Sequence, residues 1–540
     1  MKKGLKILSA GLMMMLLSSC TTLHFNLPSI LNPLGGDSQS ESTSNSQSSG
    51  NGSTSNSESS DNNSTSQSSS NSNSSSGSSS GNSSSSGSGN SSSGSSSSSS
   101  SSSSGGSSQG GGENDKAKYT IMIYMCGSNL ESGYDSETGK TNVKDASLAT
   151  GDIEEILSVS NQPDDVNIII ETGGARAWNT KYGISSSKLG RWHVENKKLV
   201  KDTELTYASM GLASTFQSFL EWGLTSYPAE KTGVILWNHG GAMGGVCYDE
   251  KKNDDSLYNS EVSSAVQAAF ANTGTDKLEW IGYDACLMAV QDVAEFNSKY
   301  FNYMVCAQES EAGEGWDYDT WVDDLYAGKS TETILKAICD GFVQSYQTNY
   351  SNPYNMPNDQ TLSFLNLNNM ATYKSAFETL AKNMSSKVSS YGKNNFQKFF
   401  KNNVKFYGST RYSSAELQEY ANYYGCTVND IINEYSLVQG PDGFYYADYG
   451  YDYFGVFDAM DFLNELSKNS SFSSLSSDIS TTKNALSNLI VYNKAGADAG
   501  DSNGLSIFFP LSSNCGKSVI YTTSQTNFTN WRSIVNSYGA

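Results

Sequence analysis

Residues 233–241 read Gly-Val-Ile-Leu-Trp-Asn-His-Gly-Gly, and residues 278–288 read Leu-Glu-Trp-Ile-Gly-Tyr-Asp-Ala-Cys-Leu-Met. Each opens on a short apolar run without polar alternation, the pattern of a strand buried on both faces. Each then breaks into small and polar residues that carry one reactive side chain, His239 or Cys286. Working outward, Tyr119–Cys126 (YTIMIYMC) and Val166–Glu171 (VNIIIE) are further runs of this kind, and Gly504–Pro510 (GLSIFFP) is a late one. A helix is expected around 145–159. Two more are expected on the faces Leu212, Phe216, Phe219, Leu220 and Val262, Ala265, Val266, Ala269, Phe270. Strands alternating with helices predict an α/β fold, a mostly parallel sheet flanked by helices. Beyond about residue 355 the pattern loosens, so a principal domain at 119–355 and an appended C-terminal α/β region at 356–540 are expected.

The chain has 540 residues, but from about Asp37 to Gly112 it is almost pure Ser, Gly and Asn. Such a segment cannot bury enough apolar area to offset chain entropy. We read 21–118 as a disordered linker whose coil spans roughly 45–50 Å. Ahead of it, Lys2, Lys3 and Lys6 precede the apolar run Ile7–Leu17, which ends in Leu-Ser-Ser-Cys20. A basic start and a short apolar core make residues 1–20 a signal peptide, too short for a spanning helix. The last four residues resemble the lipobox of bacterial lipoproteins, which implies lipidation at Cys20 and tethering to the outer face of the cell membrane.

Charge and cysteine usage narrow the classes further. Six of 55 acids and five of 34 bases precede residue 119, which leaves 49 against 29 and a net charge of −20. That field argues against nucleic acid as a partner and leaves cationic substrates open. With Cys20 acylated, seven of the eight cysteines remain, so at least one thiol is free or intermolecular. No CxxC and no zinc-like Cys/His spacing occurs, and no structural metal is expected.

The chemistry rests on few candidates, because the chain has only three histidines. His24 lies in the post-lipid tail, and His193 sits in an alternating, half-exposed strand pattern (GRWHVEN) with a bland role expected. His239 and Cys286 both fall just past the carboxyl end of an apolar strand, where functional groups collect in open parallel sheets. They lie 47 residues apart (286 − 239), room for a loop, one helix and one strand. Adjacent parallel strands would place imidazole and thiol at one sheet edge, a competent nucleophilic pair. From spacing alone, two unrelated core residues remain the competing reading.

Four blocks, 119–130, Leu-Trp-Asn-His-Gly-Gly (236–241), Tyr-Asp-Ala-Cys-Leu-Met (283–288) and 504–510, together resemble the clostripain family of cysteine peptidases. The resemblance implies a caspase-like fold, similar to that of gingipains and legumains, with 119–355 as the catalytic part. It makes Cys286 the nucleophile and His239 the group that protonates the leaving amine. It also implies an oxyanion hole from the backbone N–H groups of Cys286 and Gly240. Asp284 matches a family Asp at the base of a pocket for Arg or Lys, so substrates are expected to be proteins or peptides with a basic P1 residue. A helix N-cap is the structural alternative for Asp284, and Glu314 is a second, weaker pocket candidate.

No cofactor is required by this reading. Calcium, which some relatives need, has Asp249, Glu250, Asp254 and Asp255 as possible ligands, although a solvated loop explains them as well. The segment 247–256 is expected to be an exposed loop, cut by the enzyme itself after Lys252, with Lys251 as second choice. The rival from another class is a cell-surface binding or adhesion lipoprotein built on a peptidase-like scaffold.

Overall fold

The computed structural model describes residues 116–539 apart from 137, 350–357, 409–410, 413, 435–436, 440–444, 448–453 and 512–523. The signal peptide, Cys20 and the linker up to residue 115 lie outside the described residues. The strands that matter for the site are β1 (Ala117–Cys126), β2 (Val166–Gly173), β3 (Lys188–Glu195), β4 (Lys198–Thr206), β5 (Ala229–Trp237), β6 (Val246–Asp249), β7 (Asp255–Leu257), β8 (Leu278–Asp284), β9 (Phe301–Cys306), β10 (Thr361–Asn366) and β11 (Ile490–Ala495). All but β6 and β7 form one nine-stranded sheet in the order β11-β10-β9-β8-β5-β1-β2-β3-β4. The centre, β9-β8-β5-β1-β2, is parallel, and the strands beyond it on both sides are antiparallel. The expected α/β class, a mostly parallel sheet flanked by helices, is what forms.

Burial on both faces is written into β1. Met122, Tyr124 and Cys126 enter the core on one side, while Ile121, Ile123 and Met125 enter the core on the other. Period-2 alternation sends successive side chains to opposite faces, so a strand covered on both must be apolar throughout. Helices α1 (Ser128–Ser132), α2 (Leu148–Ser158), α3 (Ala213–Ser226) and α4 (Asn259–Thr273) join the first strands. Phe216, Phe219 and Leu220 are fully buried from α3, at about 1.5–3 kcal/mol of hydrophobic stabilisation each. Leu212 departs from the expected stripe; it precedes the helix and is 42% exposed.

Because β2 lies on one side of β1 and β5 on the other, the chain changes direction at β1. Loops leaving the carboxyl ends of strands at such a switch part company and open a crevice. The loops after β1, β5 and β8 therefore meet at one edge.

The stretch after residue 355 contributes strands to the main sheet. β10 pairs antiparallel with β9 and β11 with β10, so both extend the main sheet. Ser506–Phe508, inside the late apolar run, pairs with Val456–Asp458 in a small side sheet. The side chain of Asp458 is fully buried and accepts from Gln308 Nε2, Tyr407 Oη and the backbone N–H groups of Asp461 and Asn503. Gln308 follows β9, so this carboxylate fastens the small sheet to the end of the large one.

Candidate active site

Register decides what meets what. In the parallel pair β5 and β8, Trp237 lies opposite Asp284. His239 is two residues past Trp237 and Cys286 two past Asp284, so the two side chains leave adjacent strands at the same level. Both are buried, each 2% exposed. Asn238 fixes the end of β5 from three directions. Its N–H donates to Asp284 O, its Nδ2 donates to Cys126 O at 2.7 Å, and its Oδ1 accepts from Tyr248 N at 2.8 Å.

His239 Nε2 lies 2.6 Å from Asn129 Oδ1, on the turn that follows β1. Around Cys286 the chain bends sharply. Leu287 has φ +67°, a left-handed conformation rare for a branched side chain, and its N–H donates to Glu309 O. Glu311 N–H points at Cys286 Sγ from 3.2 Å. Cys286 is disulfide-bonded. The sulfur so held stands in for the thiol or thiolate that any nucleophilic chemistry requires.

Gly240 is needed for an unforeseen reason. A Cβ there would lie 2.1 Å from Cys286 O and 3.0 Å from Cys286 N. Only glycine lets the loop after β5 press its backbone on that of Cys286. Gly240→Ala should force the two loops apart and lower peptide turnover by about 100-fold, with a stability loss of about 1–3 kcal/mol. Initial rates and thermal melts of the same preparation check both figures.

Asp284 caps no helix. The next helix begins only at Gln291, and its N-cap is Val290. The carboxylate instead accepts from Tyr318 Oη at 2.9 Å and Trp316 N–H at 3.2 Å. Burial pushes its carboxyl up to about 7 despite these donors. Glu311 and Asp152 join it, each also held well above the usual carboxylate range, first by burial and then by the neighbouring Asp284. The groups acting on Asp284 are Tyr318, Glu311 and Trp316, none of them a cation.

Glu314, the weaker pocket candidate, is only half-buried. Glu311, three residues earlier, is the buried one. Asp152 was missed altogether, although it shares the buried face of α2 with Ala149, Ile153 and Ile156. An acid on an apolar helical stripe was the available signal.

Other candidates fall elsewhere. His193 is a surface side chain whose Nδ1 lies 2.7 Å from Asp202 Oδ1. Segment 247–256 is a hairpin of β6 and β7, not a loop exposed throughout. Asp249 is buried and accepts from Tyr207 Oη, Met210 N and Lys251 N, while Glu250 accepts from Ser132 Oγ and Arg176 N. These bonds tie Asp249 to the segment 207–210 and Glu250 to the turn after β1. Among the described residues no group of three or more His, Cys, Asp or Glu could hold a metal. Lys251 is half-buried, its Nζ 3.7 Å from the Tyr207 ring centroid, whereas Lys252 at the tip is exposed.

The parallel sheet thus presents a cysteine and a histidine from adjacent strand ends. The chain belongs to the clostripain family, whose sequence profile matches residues 139–538, and it is a cysteine endopeptidase of that family. It is 25% identical over 441 residues to clostripain of Hathewaya histolytica, covering 74% of this chain and 76% of that one. Two solved structures are similar at 15% identity and a TM-score of 0.49. One is a secreted C11 cysteine protease, "iotapain", of Bacteroides thetaiotaomicron, with 76% of this chain and 99% of that chain covered. The other is an inactive zymogen C11 protease of Parabacteroides distasonis, with 76% and 97% covered.

Proposed function

We propose that Cys286 is the nucleophile and His239 the proton carrier of a peptidase that cleaves after Arg or Lys. The shared register of the two residues carries this reading. Reduced Cys286 attacks the scissile carbonyl; the N–H groups of Cys286 and Gly240 receive the oxyanion; His239 protonates the leaving amine. Water then hydrolyses the thioester. Asp284, backed by Asp152 and Glu311, receives the basic P1 side chain. A substrate cation placed beside Asp284 would draw a proton off its carboxyl, which burial holds up to about 7.

The burial of both reactive side chains supports a latent form, activated by self-cleavage after Lys252 at the exposed hairpin tip. N-terminal sequencing of the fragments locates the cut; a fully active but uncut wild-type chain refutes it. Lipidation at Cys20 would tether the enzyme to the outer face of the cell membrane. Cys20→Ala is expected to move the protein from the detergent phase to the aqueous phase, and its retention in detergent would contradict the anchor. Hydrolysis of fluorogenic peptides with Arg, Lys or Ala at P1 separates this reading from a tethered binding protein, which turns over none of them.

A further inference from the structure

We infer that Asn129 is the positioning residue of the site, fixing the tautomer of His239 so that Nδ1 exchanges the proton during peptide hydrolysis. The inference rests on the peptidase reading above for its role, and on geometry for its content. Asn129 Oδ1 is 2.6 Å from His239 Nε2, a hydrogen-bond distance. An amide oxygen only accepts, so Nε2 must carry the hydrogen in the neutral ring. The lone pair, and the proton taken up to make imidazolium, then belong to Nδ1. This is the arrangement in which a base is oriented by a third group through its other ring nitrogen.

The turn that carries Asn129 is built to hold still. Ser128 sits at φ +47°, an unusual conformation for a residue with a side chain. A Cβ on Gly127 would meet the Trp178 ring at 2.7 Å, so the turn lies flat on that indole. Glu131, fully buried two residues on, accepts from Thr150 N, Thr150 Oγ1 and Asn179 N. Ser132 Oγ donates to Glu250 at 2.6 Å, and Gly133 N–H closes on Asn129 O at 2.8 Å. Gly127, Glu131 and Ser132 are thus anchored on three neighbouring segments, while the Asn129 side chain reaches the catalytic edge. The Asn238–Cys126 bond holds the end of β5 against the end of β1, so both partners move as one body.

The test uses reduced full-length protein in three forms, wild type, Asn129→Ala and Asn129→Asp. With only three histidines in the chain, long-range ¹H–¹⁵N spectra of ¹⁵N-histidine protein resolve the His239 ring, assigned with His239→Asn. Wild type is expected to show hydrogen on Nε2, and Asn129→Ala a tautomer mixture. With P1-Arg peptide, Asn129→Ala should lower kcat about 10- to 100-fold with KM within about twofold. Asn129→Asp should restore at least tenfold of that loss. It should also move the alkaline limb of the pH profile up by about one unit, because a carboxylate beside the ring favours imidazolium.

An unchanged His239 spectrum in Asn129→Ala overturns the inference, as does a kcat within twofold of wild type. If wild type cleaves no peptide, the peptidase reading fails instead. The spectra, together with the pH dependence of Cys286 alkylation by iodoacetamide, then still decide whether Asn129 sets the ring.

Discussion

Cys286→Ala should abolish peptide hydrolysis, with kcat falling by about 10⁴- to 10⁶-fold while the fold persists. Losses of that size follow removal of a nucleophile that acts as a unit with its base. The fold is expected to persist in reductant, because the change removes a single sulfur from a buried position beyond the end of β8. The assay needs reductant, since the residue is disulfide-bonded in the structure. Active-site titration with an irreversible basic-P1 inhibitor should label wild type stoichiometrically and the variant not at all. The variant purified alone should also stay uncut at the hairpin. Turnover within tenfold of wild type would falsify the nucleophile assignment.

Asp284→Asn should separate binding from folding. Truncating one side of a buried carboxylate–guanidinium pair costs about 2–5 kcal/mol, roughly 30- to 5,000-fold in kcat/KM for a P1-Arg peptide. The pH dependence gives a second check. With its carboxyl at about 7 in the empty site, wild type should bind a basic P1 more tightly as pH rises through 7, and the Asn variant should lose that dependence. Stability runs the other way. A carboxyl raised on folding contributes stability that is complete below its unfolded value, near 4, and is lost as pH rises through about 7. Asp284→Asn should therefore melt at or above the wild-type temperature at pH 8. A melt lowered by about 1 kcal/mol with unchanged P1-Arg kinetics would return Asp284 to a purely structural role.

The sheet was legible because its central strands are buried on both faces, which leaves an unbroken apolar run in one dimension. The candidate site was legible because His239 and Cys286 each follow an apolar run closely, and the pairing of Trp237 with Asp284 then brings them to one level. β10 and β11 were harder to see. Lying toward one edge, they carry a mixed pattern, TLSFLN and IVYNKA, that resembles a loop as much as a strand. The hairpin 246–257 was misread because charge was taken for exposure. Asp249 and Glu250 are buried acids whose hydrogen bonds come from residues 42 and 118 positions away, respectively, among others, and no local pattern reports such distant partners. The cap reading of Asp284 failed for a related reason. Asp-Ala-Cys-Leu has the composition of a helix start, but Leu287 turns left-handed and the backbone pairs with Glu309 and Ala307 instead.

The position of the hairpin tip bears on what the mature enzyme is. β5 and β8 are neighbours at the middle of the sheet, joined by five residue pairs from Gly233↔Trp280 to Trp237↔Asp284. A cut after Lys252 falls on the connection between them. One fragment keeps β1 to β6, the other β7 to β11, and each contributes one member of the proposed reactive pair. Each keeps one contiguous block of the sheet, β5-β1-β2-β3-β4 or β11-β10-β9-β8, and the seam between the blocks is the β5–β8 pairing. Separation would lay bare two long apolar strand edges, a state that favours aggregation over refolding. The processed protein would thus be a heterodimer born from one polypeptide, its two halves joined edge to edge in the middle of a shared sheet.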